Sequence, residues 1–579
     1  MSTVRPDTAL PQHSALTTVR RLILFLLLFA LVLIAASGLS GLLGRLFSSG
    51  TSLAEGDVGG LARSLAFALV GGTLAAMLWW AVWRRLREGG ERAALSWSLY
   101  VAGVYAVALI TFATALLGLA SSLIGGEEPQ WYSEAATGLV WALVWVWHRW
   151  MWLHPARGPR HLAGVPIVVG SVFGLLIGAG GAATALGNLL DAGLQGFTGT
   201  QSVGNPWWIP VLQPLVWAAG GAVLWWWHWI RGRGRFLTTG LANVALAVVG
   251  VLGGCILALS GAIASLYVLL RLAFDRSGPF PQLLEPLGPA VAAAAIGAMV
   301  WRYHAALAGH RPGAMRQAPR LLAAGAALVA AASGVGVVVN ASLGLAETAL
   351  AGTGLRTLLL GGLSALSVGG PVWWQTWDPL HPRHHQRIHE RSLEPSEHRG
   401  QRIYLVVVFG ISAVVALIAL LVIGYLAFEH LLDASSGRGS LLGRVRTPLG
   451  LLTATGLVAA YHYGVWRRER AVPPSGEPSG EQAPRGGIGH VILVTASDPV
   501  PLSRAIRDAS GAEVTVWQRA DGGAAAAGSG TEPDPANLTA ALNGISCARA
   551  LVVVGRDGRI DVIPLADGAA SGDGLPFDR

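Results

Sequence analysis

No lysine occurs in the 579 residues, so all 41 basic residues are arginine. Charged residues of both signs make up only 13%, about half the ~25% of a soluble domain. A soluble chain of this length needs charge to cover its surface, so the scarcity argues for a membrane protein. Two cysteines, Cys255 and Cys547, are too few and too far apart to suggest a disulfide framework or a thiolate metal site. No phosphate-binding G-x-x-x-x-G-K-[ST], zinc-protease H-E-x-x-H, nucleophile-elbow G-x-S-x-G or strand-linked G-x-G-x-x-G occurs. Their absence lowers the weight of catalysis without removing it.

What is abundant is apolar. Hydrophobic residues reach 53%, with 77 glycines and 23 tryptophans. Long apolar stretches lie near 22–44, 61–83, 95–123, 134–153, 162–190, 207–229, 237–270, 287–306, 319–346, 356–377, 402–428 and 447–466. Each is long enough to cross a hydrocarbon core of ~30 Å as a helix. The first runs on to Phe47, too long for a cleaved signal peptide, and is read as a span. The expected fold is an all-α polytopic membrane protein, with 12 transmembrane helices in six parallel helical-hairpin repeats and a small C-terminal α/β cytoplasmic domain. The expected divisions are a tail over 1–21, hairpins over 22–94, 95–160, 161–235, 236–317, 318–399 and 400–470, a linker over 471–489, the α/β domain over 490–566 and a flexible end over 567–579.

Arginine placement sets the expected orientation. The N-terminal tail and the segments after the even spans carry 25 arginines, and the segments after the odd spans carry eight. The positive-inside rule then puts both termini in the cytoplasm, in agreement with an even span count.

The even spans end alike. They read Trp80-Ala-Val-Trp83, Trp145-Val-Trp-His148, Trp225-Trp-Trp-His228, Trp301-Arg-Tyr-His304, Trp374-Gln-Thr-Trp377 and Ala459-Ala-Tyr-His462. This Trp-x-x-His/Trp ending recurs every ~65–80 residues, the mark of an internal repeat. Such endings on long Gly/Ala/Leu spans resemble the bacterial multi-pass membrane family labelled domain of unknown function 5671. The resemblance implies about three tandem units over 20–470 in a bacterial cytoplasmic (inner) membrane. It brings no activity, and the tail after 470 lies outside it.

The tryptophans fit an interfacial belt, because indole pairs an apolar body with one donor. A sharper alternative is a packing lock between hairpins, since Trp and the His three residues later share a helix face. His148, His228, His304 and His462 lie at one membrane level, which permits haem ligation from facing helices. Interfacial structural histidines are favoured over that, and no cofactor is expected. A loop after the tenth span holds His384, His385 and His389, of which the last two are four apart as metal ligands on a helix would be. Arg383, Arg387 and Arg391 alternate with them and repel a cation, so a basic loop on anionic lipid is favoured over a metal site.

Ionisable residues fall at span ends, as at Arg63, Glu134, Arg271, Glu347, Arg356 and Glu429, which disfavours ion-coupled transport. Gly170, Gly174, Gly178 and Ala182 form a small-residue stripe for close helix packing. Pro206, Pro210 and Pro214 line one side of the sixth span. The last two are expected to kink it and mark, with Gln213, a possible pocket. Asn188 and Gln213 are the expected partners for the carbonyls this frees.

The tail reads as βαβαββ, with strands over 490–496, 513–517, 550–554 and 560–564 and helices over 501–510 and 535–543. Its charge over 489–579 is seven arginines against eleven acids. An acidic domain makes nucleic acid an unsuitable partner and suits a protein partner, a second copy or a basic membrane face. Ser497-Asp498-Pro499 reads as a capped helix start rather than a ligand loop. The function that fits best is a non-enzymatic membrane scaffold or sensor. The alternatives are a passive transporter or channel between the repeats, and a membrane enzyme or haem protein.

Overall fold

All twelve apolar stretches are helical in the computed structural model. It describes residues 12–48, 57–86, 92–126, 131–198, 206–311, 313–347, 353–377, 395–432, 440–471, 488–495, 498–518, 535–542, 545, 547, 549–555 and 559–565. The helices are α1 (Gln12–Ser48), α2 (Val58–Arg85), α3 (Leu95–Gly125), α4 (Trp131–Leu153), α5 (Val165–Thr198), α6 (Ile209–Arg231), α7 (Gly240–Phe274), α8 (Leu287–Gly309), α9 (Ala318–Glu347), α10 (Thr353–Trp377), α11 (Pro395–Leu432) and α12 (Leu441–Ala471). Among the described residues ten helices are long and apolar enough to cross a membrane, which makes the chain a multi-pass membrane protein. The count falls short of the expected twelve at α4 and α12. Helix α4 carries six tryptophans and α12 five arginines, and both lower the mean hydropathy of helices that are otherwise long enough.

Consecutive helices pack closely in the pairs α1–α2, α3–α4, α5–α6, α7–α8 and α9–α10. Glycine makes this possible. A Cβ on Gly174 of α5 would lie 2.5 Å from the Trp225 nitrogen, and one on Gly254 of α7 would lie 2.7 Å from the Trp301 nitrogen. One on Gly334 of α9 would lie 2.6 Å from the Leu366 nitrogen. Backbone meets backbone at these points, so dispersion contacts replace the hydrophobic drive that lipid cannot supply. The glycines of the stripe expected on α5 face α6 as anticipated, and Gly181 extends the contact against Ala218.

Ends are set by local chemistry. Asp57 caps α2 by accepting from the Gly60 N–H at 2.8 Å, and Thr239 caps α7. Gly126, at φ +68°, stops α3 in a left-handed turn that a side chain would strain. Helices α2, α6 and α7 each contain a wide π-turn, at Ala66–Gly71, Trp226–Arg231 and Leu246–Gly253.

The chain divides into two compact units, Met1–Glu469 and Arg470–Arg579. The second holds β1 (His490–Thr495), α13 (Pro499–Ser510), β2 (Glu513–Gln518), α14 (Pro535–Leu542), β3 (Arg549–Val554) and β4 (Ile560–Leu565). The sheet order is β2-β1-β3-β4, parallel except for the β3–β4 pair. Val491, Leu493, Leu502, Ile506, Leu538 and Val552 form its core. Asp498 Oδ1 accepts from the Val500 N–H, which is the expected cap of α13.

Candidate functional site

The four histidines at the helix ends are buried, with 0–3% exposure. Each Nδ1 lies 2.8 Å from the carbonyl four residues earlier in its own helix: His148 from Val144, His228 from Leu224, His304 from Val300 and His462 from Val458. A carbonyl only accepts, so each Nδ1 donates and Nε2 is left as the acceptor. Tyr100 Oη of α3 donates to His148 Nε2 at 3.1 Å, and Tyr105 Oη of α3 donates to His228 Nε2 at 2.9 Å. His148 therefore ties α4 to α3, and His228 ties α6 to α3. Both ring nitrogens of each are engaged within the protein, which leaves neither lone pair for an axial haem bond. His462 Nε2 is buried without a hydrogen-bond partner, with the Tyr404 ring 6.0 Å away.

Around three of these histidines the aromatic rings form clamps. In the first, Trp79 and Trp83 of α2 lie 5.6 Å apart and meet Trp147 of α4 at 6.1 and 6.3 Å, with His148 6.4 Å from Trp79. In the second, Trp225 and Trp229 of α6 grip Tyr303-His304 of α8, and Trp229 Nε1 donates to Tyr303 Oη at 3.0 Å. In the third, Trp373 and Trp377 of α10 grip Tyr461-His462 of α12, and Trp377 Nε1 donates to Tyr461 Oη at 2.8 Å. Each clamp joins two helices that are not consecutive in the chain. Offset and edge-to-face ring pairs of this kind contribute ~0.5–1.5 kcal/mol each beyond the area they bury.

The clamps use residues that the Trp-x-x-His reading passed over. Trp80 and Trp374, the first letters of copies one and five, are 58% and 59% exposed. Their neighbours Trp79 and Trp373 turn inward instead. The usable signal is a Trp pair four apart on α2, α6 and α10, matched by an aromatic residue just before the His of α4, α8 and α12. Trp145 and Trp301 are half-buried beside their clamps, with Tyr105 5.7 Å from Trp145.

At the sixth span, helix α6 begins at Ile209, so Pro210 sits in its first turn, where a missing N–H leaves nothing unpaired. Pro214 alone is inside the helix. Asn188 Nδ2 donates to the Pro210 carbonyl, as expected, and Gln213 Nε2 donates to the Ser121 carbonyl of α3 at 3.3 Å. Pro210 is exposed, and Gln213 and Pro214 are half-buried. His384, His385 and His389 lie outside the described residues. Among the described residues no group of three His, Cys, Asp or Glu is placed to hold a metal.

Two cavities flank the clamps. One, of about 710 Å³, lies between α9, α10 and α12, is almost wholly apolar and reaches His462. The other, of about 320 Å³, lies between α4, α5 and α6 at their arginine-bearing ends and is bordered by Arg149, Arg231, Trp227 and the Tyr105–His228 pair.

The family profile described as domain of unknown function (DUF5671) matches residues 21–147 and 317–457. The first stretch spans α1 to α3 and most of α4, and the second α9 to α11 and most of α12. No curated protein and no solved structure matches the chain.

Proposed function

Because two stretches of the chain belong to the family of domain of unknown function 5671, we propose that it is a non-enzymatic membrane scaffold made of three four-helix units. The observation that carries this is the fate of the polar and aromatic side chains at the helix ends. Tyr100 is hydrogen-bonded to His148, Trp229 to Tyr303 and Trp377 to Tyr461 across helices, within three clusters of stacked aromatic rings. A group locked in this way holds helices together and is not free to turn over a substrate. Helices α5 to α8, between the two matched stretches, contain the second clamp and supply the middle unit.

In this reading α4 and α12 are also spans, giving twelve in six hairpins, in a bacterial cytoplasmic membrane with both termini inside. The ion pairs support that sidedness. Arg45–Asp57, Arg271–Asp275 and Arg444–Glu429 neutralise arginines at the ends assigned to the outside. At the opposite ends Arg84, Arg149, Arg157 and Arg231 lie over indole rings. The arginine-rich ends then meet anionic lipid.

The C-terminal domain is the recruiting element. Strand β2 pairs only with β1 among the described residues, and its Trp517 is 60% exposed. A free strand edge with an exposed aromatic suits a peptide added as a further strand. A photoreactive residue at Trp517 in cells is expected to crosslink to one discrete protein partner or to a second copy. No crosslinked species, together with solute flux through the purified protein in liposomes, would overturn the scaffold in favour of a passive transporter. The apolar cavity between α9, α10 and α12 is the feature that favours that second reading, for an apolar solute.

A further inference from the structure

The cavity between α4 and α6 stands apart from the clamps in its charge. Arg149 of α4 and Arg231 of α6 approach the same indole, Trp227, with guanidinium carbons 5.3 and 6.0 Å from the ring centroid. Arg149 also lies 5.6 Å from the Trp145 ring. Two cations are thus brought to one mouth, although they repel each other. Among the described residues no acid lines the cavity to offset them, in contrast to Arg45, Arg271 and Arg444, which each have a carboxylate. Tyr105 is committed to His228, so that wall is held by an internal hydrogen bond. Trp152, Leu153 and Ile167 give the other side an apolar surface.

We propose that this cavity binds the phosphate group of an anionic phospholipid, with Arg149 and Arg231 as its ligands and Trp152 beside the lipid's glycerol and upper acyl chain. Guanidinium forks match phosphate oxygens with charge-assisted hydrogen bonds. A bound anion removes the repulsion between the two arginines. The cavity's size falls in the ~300–1,000 Å³ range of small-molecule sites. Its tryptophans mark the level at which headgroups lie, and basic pockets between transmembrane helices take anionic headgroups. A free phosphate ion shares the headgroup's charge but not its chains, and the apolar wall favours the lipid. The proposal rests on the chain being a multi-pass membrane protein and not on the scaffold reading.

The test is calorimetric binding of short-chain phosphatidylglycerol to the full-length protein in a neutral detergent. Saturable binding is expected, with phosphatidylcholine failing to compete. The paired substitutions Arg149→Gln and Arg231→Gln should weaken it by about tenfold or more. Equal binding of both lipids, or unchanged affinity in the folded double variant, would overturn the site. Displacement by inorganic phosphate at concentrations equal to the lipid would overturn the lipid assignment in favour of a free anion. Should the variant fail to fold, a photoactivatable phosphatidylglycerol on the unaltered protein decides the matter. Adducts on residues 149–167 and 227–232 are expected, and adducts confined to other regions would overturn the proposal.

Discussion

At the scale of single residues, His228 and Tyr105 are the sharpest case. Their 2.9 Å hydrogen bond joins residues 123 apart in sequence, and both side chains are buried within the protein. A buried pair of this kind contributes ~1 kcal/mol net, and stranding one member costs ~1–3 kcal/mol. His228→Ala and Tyr105→Phe should each lower thermal stability in detergent, and the double variant should lose less than their sum, by ~0.5–1.5 kcal/mol. Strict additivity would contradict the lock. Trp226→Ala, at a side chain 49% exposed, should cost far less than Trp229→Ala, at one 7% exposed that also donates to Tyr303. The importance of these helix ends was legible in sequence, because Trp and His recur there. Which tryptophan of each cluster turns inward was not. Trp79-Trp80 and Trp373-Trp374 allow two phases each, and only the neighbouring helix decides between them. In α6 a π-turn over Trp226–Arg231 shifts the face presented, and nothing local in the sequence announces it.

At the scale of helices and their contacts, the glycines divide into those that face a helix and those that do not. A Cβ on Gly261 of α7 would be driven into the backbone of Ala290 and Ala294, whereas one on Gly180 of α5 meets nothing within 4 Å. Gly261→Ala should therefore destabilise the protein, and Gly180→Ala should leave it unchanged or slightly more stable through helix propensity. Equal melting temperatures for the two variants would contradict the packing. A Cβ on Gly250 would lie 2.6 Å from Cγ of His304. The loss caused by Gly250→Ala should accordingly shrink in a His304→Ala background. Helix ends were partly legible: Asp498 stands where its chemistry sets a boundary, and the twelve apolar runs became helices whose ends lie within ten residues of the runs. Pro210 was not legible, because whether a proline kinks a helix or starts one depends on where the first turn falls. At the start of α2, the Gly60 N–H and then Arg45 hold the Asp57 carboxyl below its usual range. A depressed carboxylate stabilises the fold above the unfolded-state pKa and loses that contribution as pH falls through its folded value. Asp57→Asn should thus be less stable than the parent at neutral pH, with a difference that holds down to ~pH 4 and shrinks only as pH falls further, as melting curves across that range would show.

At the scale of the whole molecule, the account rests on one asymmetry. Among the described residues, Arg84, Arg149, Arg157 and Arg231 stack on tryptophans at one end of the helices, while Arg45, Arg271 and Arg444 at the other end are paired with acids. Hydropathy alone would leave α4 in doubt, because its six tryptophans dilute the apolar signal. The clamps give a separate reason to place α4 among the spans, since Trp147 and His148 are gripped by α2 and α3. If α4 crosses the bilayer, the segments on either side of it face opposite compartments. The most direct measurement is cysteine labelling in cells with a membrane-impermeant reagent, after Cys255 and Cys547 have been replaced. Gln130→Cys, just before α4, should label in intact cells, and Ala156→Cys, just after it, only once the membrane is opened. Labelling of both positions from the same side would contradict the twelve-span arrangement and, with it, the scaffold built on three four-helix units.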